Sequence, residues 1–210
     1  MKATQVLKTF LIATVLALGV RLFFVEDFRV SSDSMIPNLF QGDLIFVSKS
    51  AFSLRLPFSS FELVRFKTPK RSEVVAFSVP DQGFGTYIKR VVAIGGDRVE
   101  IKDGALWVNG EKASYVYLDE NSYENGLKES WSTGMNYSVL APEEKMKDYG
   151  PIDVPADHFF ALGDNRKESL DSRFWGPVPY SCLKGKVSMV WLSVGPEGAL
   201  RSRRWLTSIN

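Results

Sequence analysis

The chain has 210 residues, of which 45% are hydrophobic and 24% charged, and its formal net charge at pH 7 is +2. This length and composition predict a folded domain with a sizeable core. The charge is small and evenly spread, whereas nucleic-acid binding normally needs a concentrated basic face, so nucleic acid is not expected as a partner. The single cysteine, Cys182, and the single histidine, His158, exclude an intramolecular disulfide, a thiolate zinc site and a two-histidine metal site. No cofactor is expected.

The N-terminal segment 9–25 is apolar apart from Arg21, and its length is close to the roughly 20 residues that a transmembrane helix needs. Cations precede it and acidic residues follow it, namely Lys2 and Lys8 before and Glu26 and Asp27 after. The positive-inside rule then places the N-terminus in the cytoplasm, and Arg21 can snorkel to the outer headgroups. The sequence predicts a cytoplasmic N-terminus and membrane anchor in residues 1–27 and an extracytoplasmic domain in residues 28–210.

A cleaved secretory signal is the competing interpretation of the same segment. Lys2 and Lys8 would form its basic region, and residues 10–20 would form an apolar core of suitable length. The apolar run resumes at residues 22–25, however, where a cleaved signal would end in an Ala-x-Ala-like site. A retained anchor fits better.

Beyond residue 40 the sequence alternates with a period of two and is rich in Val and Ile, which predicts β-strands joined by turns. The predicted strands are Asp43–Val47, Glu73–Val79, Thr86–Ile94, Arg98–Lys102, Ala105–Val108, His158–Leu162 and Lys186–Val194. Asp103-Gly104 and Asn109-Gly110 predict two hairpin turns. The expected fold is therefore mainly β: a transmembrane helix followed by an antiparallel, barrel-like sheet.

Two segments depart from this pattern. Residues 114–151 are polar and rich in turn formers, which predicts a loop-rich subdomain inserted in the sheet. Residues 52–58 are apolar but also turn-prone, so they are either ordinary core or a surface loop that touches lipid.

Three groups of motifs occur together in a fixed order. They are Ser32-Asp33-Ser34-Met35-Ile36-Pro37 with Gly42-Asp43, then Tyr87-Ile88-Lys89-Arg90-Val91-Val92 with Gly95-Gly96-Asp97, and Gly163-Asp164-Asn165-Arg166 with Asp171-Ser172-Arg173. As a set they resemble type I signal peptidases, and the resemblance covers the anchor and nearly the whole body. It implies a serine endopeptidase, bound to the bacterial cytoplasmic membrane, that removes signal peptides from exported preproteins at the outer face.

Ser34 is the expected nucleophile and Lys89 its general base. A serine hydroxyl needs a base to take its proton, and a lysine can do this only when desolvation keeps its amine neutral. On a strand, Lys89 would share an apolar face with Tyr87, Val91 and Ala93, while Arg90 would point to the other face.

Lys49 is the rival base, in a segment that also matches the family. There its counterpart is not the base, so a supporting or structural role is expected for Lys49. His158 is expected to be a strand-end residue and not a catalyst, and Cys182 a small buried hydrophobe.

The resemblance also implies roles for residues around the dyad. The backbone N–H of Ser34 and the hydroxyl of Ser32 would form the oxyanion hole. Ser169 would hydrogen-bond the lysine amine and orient it. Asp171 and Arg173 would form an ion pair that supports the site.

Substrate selection is expected from shallow apolar pockets. The resemblance nominates Val30, Met35, Leu39 and Ile88 as their lining. Small pockets admit small side chains, so the expected substrate is an Ala-x-Ala-like sequence bound as an extended strand. Residues 201–205 combine cations with an indole, which suits either contact with anionic lipid or a solvated tail.

Three residues depart from the family pattern. Asn38 replaces the usual threonine, Lys167 a common aspartate, and Gly95 a frequent proline. Lys167 reverses a charge beside Asp164 and Arg166, so the ion pairs there are expected to be arranged differently.

Two other functions stay open. One is a specialised Ser-Lys peptidase of the same architecture, acting in conjugation, pilus assembly or a dedicated secretion route. The other is a membrane-tethered β-rich binding protein in which these motifs are only turns and strand edges. Self-cleaving repressors share the dyad but carry a DNA-binding domain instead of an N-terminal membrane span.

Overall fold

The computed structural model describes residues 2–56, 61–79, 85–118, 126–140 and 146–209. The N-terminal helix α1 spans Lys2–Phe23, so it begins before the apolar segment and ends two residues short of its predicted end. Its section Ala3–Phe23 has a mean hydropathy of 2.0 and is long and apolar enough to cross a membrane. A strand starts directly at Val25, and the predicted boundary at residue 27 therefore falls inside this strand.

The body consists mainly of strands. In chain order the first ones are β1 (Val25–Arg29), β2 (Asp43–Ser48), β3 (Ser53–Arg55), β4 (Glu62–Arg65), β5 (Val74–Phe77), β6 (Tyr87–Ile94), β7 (Arg98–Lys102), β8 (Ala105–Val108) and β9 (Glu111–Lys112). There follow β10 (Ser114–Tyr117), β11 (Gly126–Ser130), β12 (Asn136–Leu140), β13 (Tyr149–Asp153), β14 (His158–Leu162), α2 (Ser172–Trp175), β15 (Val178–Pro179), β16 (Leu183–Ser193) and β17 (Thr207–Ser208).

The described strands form antiparallel sheets. The largest runs in the order β1-β2-β16-β5-β6-β14-β15, with β17 added to β16. A second sheet has the order β13-β7-β8-β9, and a third, which we call the three-stranded sheet, has the order β10-β11-β12. The strands β3 and β4 pair as a separate ribbon.

The predicted strands are confirmed, three of them with identical bounds and the others within three residues at each end. The two Asx-Gly turns are confirmed as well. Asp103, Gly104, Asn109 and Gly110 all have φ between 52° and 79°. A pair of positive φ values at the turn centre is the type I′ geometry that matches the twist of the flanking strands.

The segment 114–151 contains more regular structure than its polar composition predicts. It carries the three-stranded sheet and most of β13, which pairs with β7. Along β12 the buried residues Tyr137 and Val139 are separated by the polar Ser138, so few apolar residues mark this strand in the sequence.

The core lies on both faces of the largest sheet. All four residues of β5 are at most 1% exposed. Val74 and Ala76 pack in one hydrophobic cluster, and Val75 and Phe77 pack in another. Successive side chains of a strand point to opposite faces, so this strand is covered on both sides. Phe52 is buried in the second of these clusters, as the core alternative predicts, whereas Leu56 is exposed. Contact of this segment with lipid stays a prediction, and residues 57 and 58 lie outside the described residues.

Two loops bring the motif residues together. One joins β1 to β2 and carries Ser34; the other joins β14 to α2 and carries the segment 163–171. The two loops are held to each other by the Asn165 N–H, which donates to the Ser34 carbonyl oxygen over 3.0 Å. Both lie beside β6, which carries Lys89.

Candidate active site

Lys89 and Ser34 meet at the centre of the site. Lys89 Nζ lies 2.5 Å from Ser34 Oγ, within hydrogen-bond distance, although the two residues are 55 positions apart in the chain. Both are buried, with 4% and 7% of their surfaces exposed. The structure thus brings together the two residues that the sequence nominates as base and nucleophile.

The environment of Lys89 favours its neutral form. Burial lowers the pKa of Lys89 from 10.5 to about 8, more than the nearby carboxylates of Asp171 and Asp164 raise it. Desolvation penalises the ammonium form because the low-dielectric interior stabilises charge poorly. A neutral amine 2.5 Å from a hydroxyl can accept that hydroxyl's proton.

The apolar face predicted around Lys89 is only partly as expected. Tyr87 and Val91 pack in the same cluster, but Ala93 packs in a different one. The pairing between β14 and β6 shifts register between Phe160 and Ala161, and this irregularity interrupts the simple alternation before Ala93. Arg90 points away from Ser34 as predicted, and pairs with Asp164.

Ser32 lies next to the nucleophile. Its Oγ is 3.2 Å from Ser34 Oγ, and the residue is exposed toward the cleft. A hydroxyl in this position is free to rotate toward a substrate oxygen that approaches Ser34.

Ser169 is buried close to both Ser34 and Gly163. A side-chain carbon at Gly163 would lie 2.2 Å from Ser169 Oγ and 2.5 Å from the Ser34 carbonyl oxygen, so only glycine fits between them. The predicted hydrogen bond from Ser169 to Lys89 is not formed. Among the described residues, Ser169 Oγ has no hydrogen-bond partner, while the Lys89 amine bonds to Ser34 Oγ.

Asp171 and Arg173 form a bidentate ion pair. Arg173 Nε and Nη2 each donate to the Asp171 carboxylate over 2.8 Å, and Asp171 is fully buried. Asp171 also accepts from the Gly163 N–H over 3.0 Å, and Arg173 donates to the carbonyl oxygens of Arg166 and Ser169. This pair therefore fixes the backbone on both sides of Ser169.

A second buried ion pair lies behind Lys89. Arg90 donates twice to Asp164, over 2.8 Å each, and both side chains are at most 1% exposed. Asn38 Nδ2 donates to Asp164 Oδ2 and to the Ser138 carbonyl oxygen, over 2.7 Å each. The side chain of Asn38 uses both of its N–H groups here, whereas a threonine hydroxyl has a single hydrogen to donate.

A third buried pair joins Arg166 to Glu129 of β11. Arg166 Nη2 donates to Glu129 Oε1 over 2.9 Å, and the two side chains are 1% and 0% exposed. Tyr137 of β12 also donates to Glu129 Oε1. Burial alone would lower the pKa of Arg166, but the Glu129 carboxylate raises it well above its usual range. Glu129 has no functional signal in the sequence, because it lies in the segment 114–151 that is predicted as loops.

The two remaining departures from the family pattern have different consequences. Lys167 is exposed, so its charge lies outside the buried pairs of Asp164 and Arg166. At Gly95 a side-chain carbon would lie 2.1 Å from the Ala156 carbonyl oxygen, and the Gly95 N–H donates to Tyr180 Oη over 3.3 Å. A proline has neither the space nor the N–H at this position.

The other candidates lie away from the dyad. Lys49 Nζ lies 3.9 Å from Glu26 Oε2, in a partly exposed ion pair. His158 opens β14 opposite Pro179, at the strand end where it was predicted. Cys182 is partly buried against the cluster that contains Phe77.

A cleft of about 420 Å³ opens beside the dyad. Its walls include three of the four predicted pocket residues, Val30, Met35 and Ile88, together with Ser32, Ser34 and Lys89. The fourth prediction, Leu39, is 0% exposed and packs inside the core with Ile45 and Val187. Leu39 packs in the same cluster as Val30 and Met35 and is not part of the cleft lining, so it supports this wall from within the core.

The C-terminal cations partly contradict their predicted exposure. Arg204 donates to the fully buried Asp43 and to the Asn38 carbonyl oxygen, over 2.6 and 2.8 Å, and its guanidinium lies over the Phe40 ring. Arg201 donates to the Gln41 carbonyl oxygen. Arg203 and Trp205 are exposed. Two of the three arginines therefore hold the loop that follows Ser34, and Arg204 supplies the counter-charge that the buried Asp43 needs.

Comparisons with known proteins place the chain in a family. The model of the family "Signal peptidase, peptidase S26" matches residues 3–192. Signal peptidase I of Pseudomonas fluorescens is 34% identical over 202 residues, which cover 89% of this chain and 71% of the relative. Signal peptidase I of Bacillus licheniformis is 35% identical over 167 residues, or 79% and 75% of the two chains.

A solved structure of signal peptidase I from Enterococcus faecalis is 28% identical and covers 58% of this chain and 97% of its own, with a TM-score of 0.38. The family match spans most of the chain and includes all three groups of motifs. The chain therefore belongs to the signal peptidase family, peptidase S26, and is a serine protease that hydrolyses peptide bonds.

Proposed function

We propose that this protein removes signal peptides from exported preproteins, with Ser34 as nucleophile and Lys89 as general base. The observation that carries the proposal is the 2.5 Å distance between Lys89 Nζ and Ser34 Oγ in a buried site where the lysine pKa is about 8. At that pKa a substantial fraction of the amine is neutral near pH 8, and a neutral amine can take the serine proton.

The reaction starts when Lys89 takes the proton of Ser34 Oγ as that oxygen attacks the scissile carbonyl carbon. The carbonyl oxygen then becomes an oxyanion, which the Ser34 N–H and the Ser32 hydroxyl stabilise. The Lys89 ammonium returns its proton to the leaving amine, which releases the mature protein and leaves the signal peptide as an ester on Ser34. Water, deprotonated by Lys89, then attacks the carbonyl carbon of this ester. The Lys89 ammonium returns the proton to Ser34 Oγ as the C–O bond breaks, which releases the signal peptide and restores the dyad.

Substrate selection follows from the shape of the cleft. Its wall includes the apolar side chains Val30, Met35 and Ile88, and its volume of about 420 Å³ is available to an extended peptide. An Ala-x-Ala-like segment places small side chains against this wall, while its backbone bonds to the strand edges. Preproteins with such a segment are the proposed substrates.

The proposed site of action is the outer face of the bacterial cytoplasmic membrane. Helix α1 would span the bilayer once, with Lys8 on the cytoplasmic side and Asp27 on the outer side. Arg21 Nη2 lies 3.2 Å from Asp27 Oδ1 at the end of the helix, which fits an arginine that reaches toward the outer headgroups. Protease added to spheroplasts should digest the body, and protection of residues after Asp27 would contradict this orientation.

A cleavage assay tests the proposed chemistry. The purified protein in detergent is given a preprotein with an Ala-x-Ala site, beside the variants Ser34→Ala, Lys89→Ala and Lys89→Arg. All three should be inactive, the last because a guanidinium does not release its proton near neutral pH. Lys49→Ala, which changes a lysine outside the site, should cut like the wild type. Cleavage by Lys89→Arg at the wild-type rate would contradict the proposal.

A further inference from the structure

The three-stranded sheet contacts both loops of the site and the arginine that follows Lys89 on β6. Its strand β11 supplies Glu129, which is 0% exposed. A buried carboxylate is costly unless it is paired, and here Arg166 pairs with it. Tyr137 donates a further hydrogen bond to the same carboxylate.

Arg166 belongs to the loop that carries Ser169 and connects Glu129 to other residues of that loop. Its Nε donates to the Gly163 carbonyl oxygen over 3.1 Å, and its own carbonyl oxygen accepts from Arg173 over 2.8 Å. Arg173 holds Asp171, whose carboxylate accepts from the Gly163 N–H. Glu129 therefore connects to a closed set of bonds around Gly163, the residue that touches both Ser34 and Ser169.

Strand β12 makes a second set of contacts with the same loops. The Leu140 N–H donates to the Asp164 carbonyl oxygen over 2.9 Å, and the Arg166 N–H donates to the Leu140 carbonyl oxygen over 3.3 Å. The Ser138 carbonyl oxygen accepts from Asn38, which belongs to the loop of Ser34. The centre of the Tyr137 ring lies 4.3 Å from the guanidinium of Arg90, and Arg90 directly follows Lys89 in the chain.

We propose that the three-stranded sheet is a positioning element for catalysis, and that Glu129 is its principal positioning residue. This inference rests on the proposed function of the dyad. Glu129 touches no reacting atom and acts through Arg166 on the loop 163–173. A displacement of about 1 Å at a catalytic loop can lower the rate by about two orders of magnitude, so a distant carboxylate can control the rate without contacting the substrate.

Glu129→Gln is the variant that tests this role, with Lys128→Gln as its matched control. The glutamine keeps the size of the side chain but removes the charge that Arg166 needs. Lys128 is the exposed neighbour on the same strand, so its change leaves the buried contacts intact. Tyr137→Phe is a milder second variant, which removes one hydrogen bond to Glu129 and keeps the ring over Arg90.

The first measurement is amide hydrogen exchange in the full chain in detergent, which does not depend on activity. Peptides that cover residues 163–173 should exchange at least about tenfold faster in Glu129→Gln than in the wild type, because local opening follows the loss of the contacts that close the loop. Tyr137→Phe should show a smaller increase, and Lys128→Gln none. Unchanged exchange in this segment in Glu129→Gln would overturn the proposal, whatever the outcome of the cleavage assay.

The second measurement separates positioning from general stability. At a temperature where each variant is fully folded, Glu129→Gln should have a kcat at least about tenfold lower and a KM within about twofold of the wild type. A role in stability alone would lower the melting temperature and leave kcat per folded molecule unchanged, and that result would also overturn the proposal. If the wild type does not cleave preproteins at all, the proposed function fails, and the exchange result still decides whether Glu129 orders the loop.

Discussion

Arg90 and Asp164 form a bidentate ion pair directly behind the dyad, with both side chains almost completely removed from solvent. Arg90 follows Lys89 on β6, and Asp164 lies in the loop that packs against Ser34. The pair therefore fixes the distance between the strand of the base and the loop that supports the nucleophile.

Arg90→Met should strongly destabilise the protein. The change leaves the Asp164 carboxylate buried without its counter-charge, which costs roughly 3–5 kcal/mol of unfolding free energy. Arg98→Met is the matched control, because Arg98 pairs with Asp153 in an exposed ion pair whose side chains are 56% and 76% accessible. Such a surface pair contributes about 1 kcal/mol or less. Denaturant unfolding, monitored by tryptophan fluorescence, measures the unfolding free energy of both variants. An equal decrease in Arg90→Met and Arg98→Met would show that burial does not determine the strength of these ion pairs.

Gly163→Ala should abolish cleavage while the sheets stay folded, because the change lies in the loop after β14. Its side-chain carbon would overlap Ser169 Oγ and the Ser34 carbonyl oxygen, and the Asn165 N–H donates to that same oxygen. Gly85→Ala serves as the control, since the nearest described atom to its side-chain carbon is 3.9 Å away, an ordinary contact. Cleavage at the wild-type rate by Gly163→Ala would show that the two loops can separate without loss of function.

The buried lysine should make stability depend on pH in a defined window. The pKa of Lys89 is about 8 in the folded protein, whereas the ordinary value for a lysine, which applies to the unfolded chain, is 10.5. Between these values the unfolded chain binds more protons at this position than the folded one, so the unfolding free energy rises with pH. Below pH 8 both states are protonated and this contribution is constant.

Comparison with Lys89→Met isolates that contribution from other titrating groups. The wild-type unfolding free energy minus that of Lys89→Met should rise by about 3 kcal/mol between pH 8 and 10.5. The measurement is chemical unfolding at a series of pH values in the same detergent. A difference that stays constant across the window would mean that the folded protein does not depress the pKa of Lys89.

Arg98–Lys102 and Ala105–Val108 are predicted with identical bounds, because an Asx-Gly turn follows each of these two strands in the sequence. The dyad came from the resemblance, since neither Ser34 nor Lys89 differs chemically from other serines and lysines in the chain. The three-stranded sheet is not predicted, because its segment is polar and rich in turn formers and lacks the Val- and Ile-rich alternation of the predicted strands. Local patterns do not reveal which buried charges meet across 37 positions, as Glu129 and Arg166 do.

The inward turn of Leu39 and the position of Ala93 were also beyond local patterns. Leu39 is apolar and close to Ser34, so the sequence favours a place in the substrate pocket, but the packing of its loop sends it into the core. The pairing of β6 with β14 shifts register at Ala93. Such a shift depends on both strands, so the sequence of β6 alone does not reveal it. Arg204 likewise finds Asp43 across 161 positions of the chain.

The pH dependence of kcat/KM for cleavage of a preprotein tests the central claim most directly, because it reports the ionisation of the free enzyme's essential base. With Lys89 as the base, kcat/KM should rise with pH and level off above an apparent pKa of about 8. Asp171→Asn should shift this apparent pKa downward in whatever activity remains, because the Asp171 carboxylate raises the pKa of the lysine. A wild-type profile that is flat from about pH 6 to 10 would contradict Lys89 as the general base.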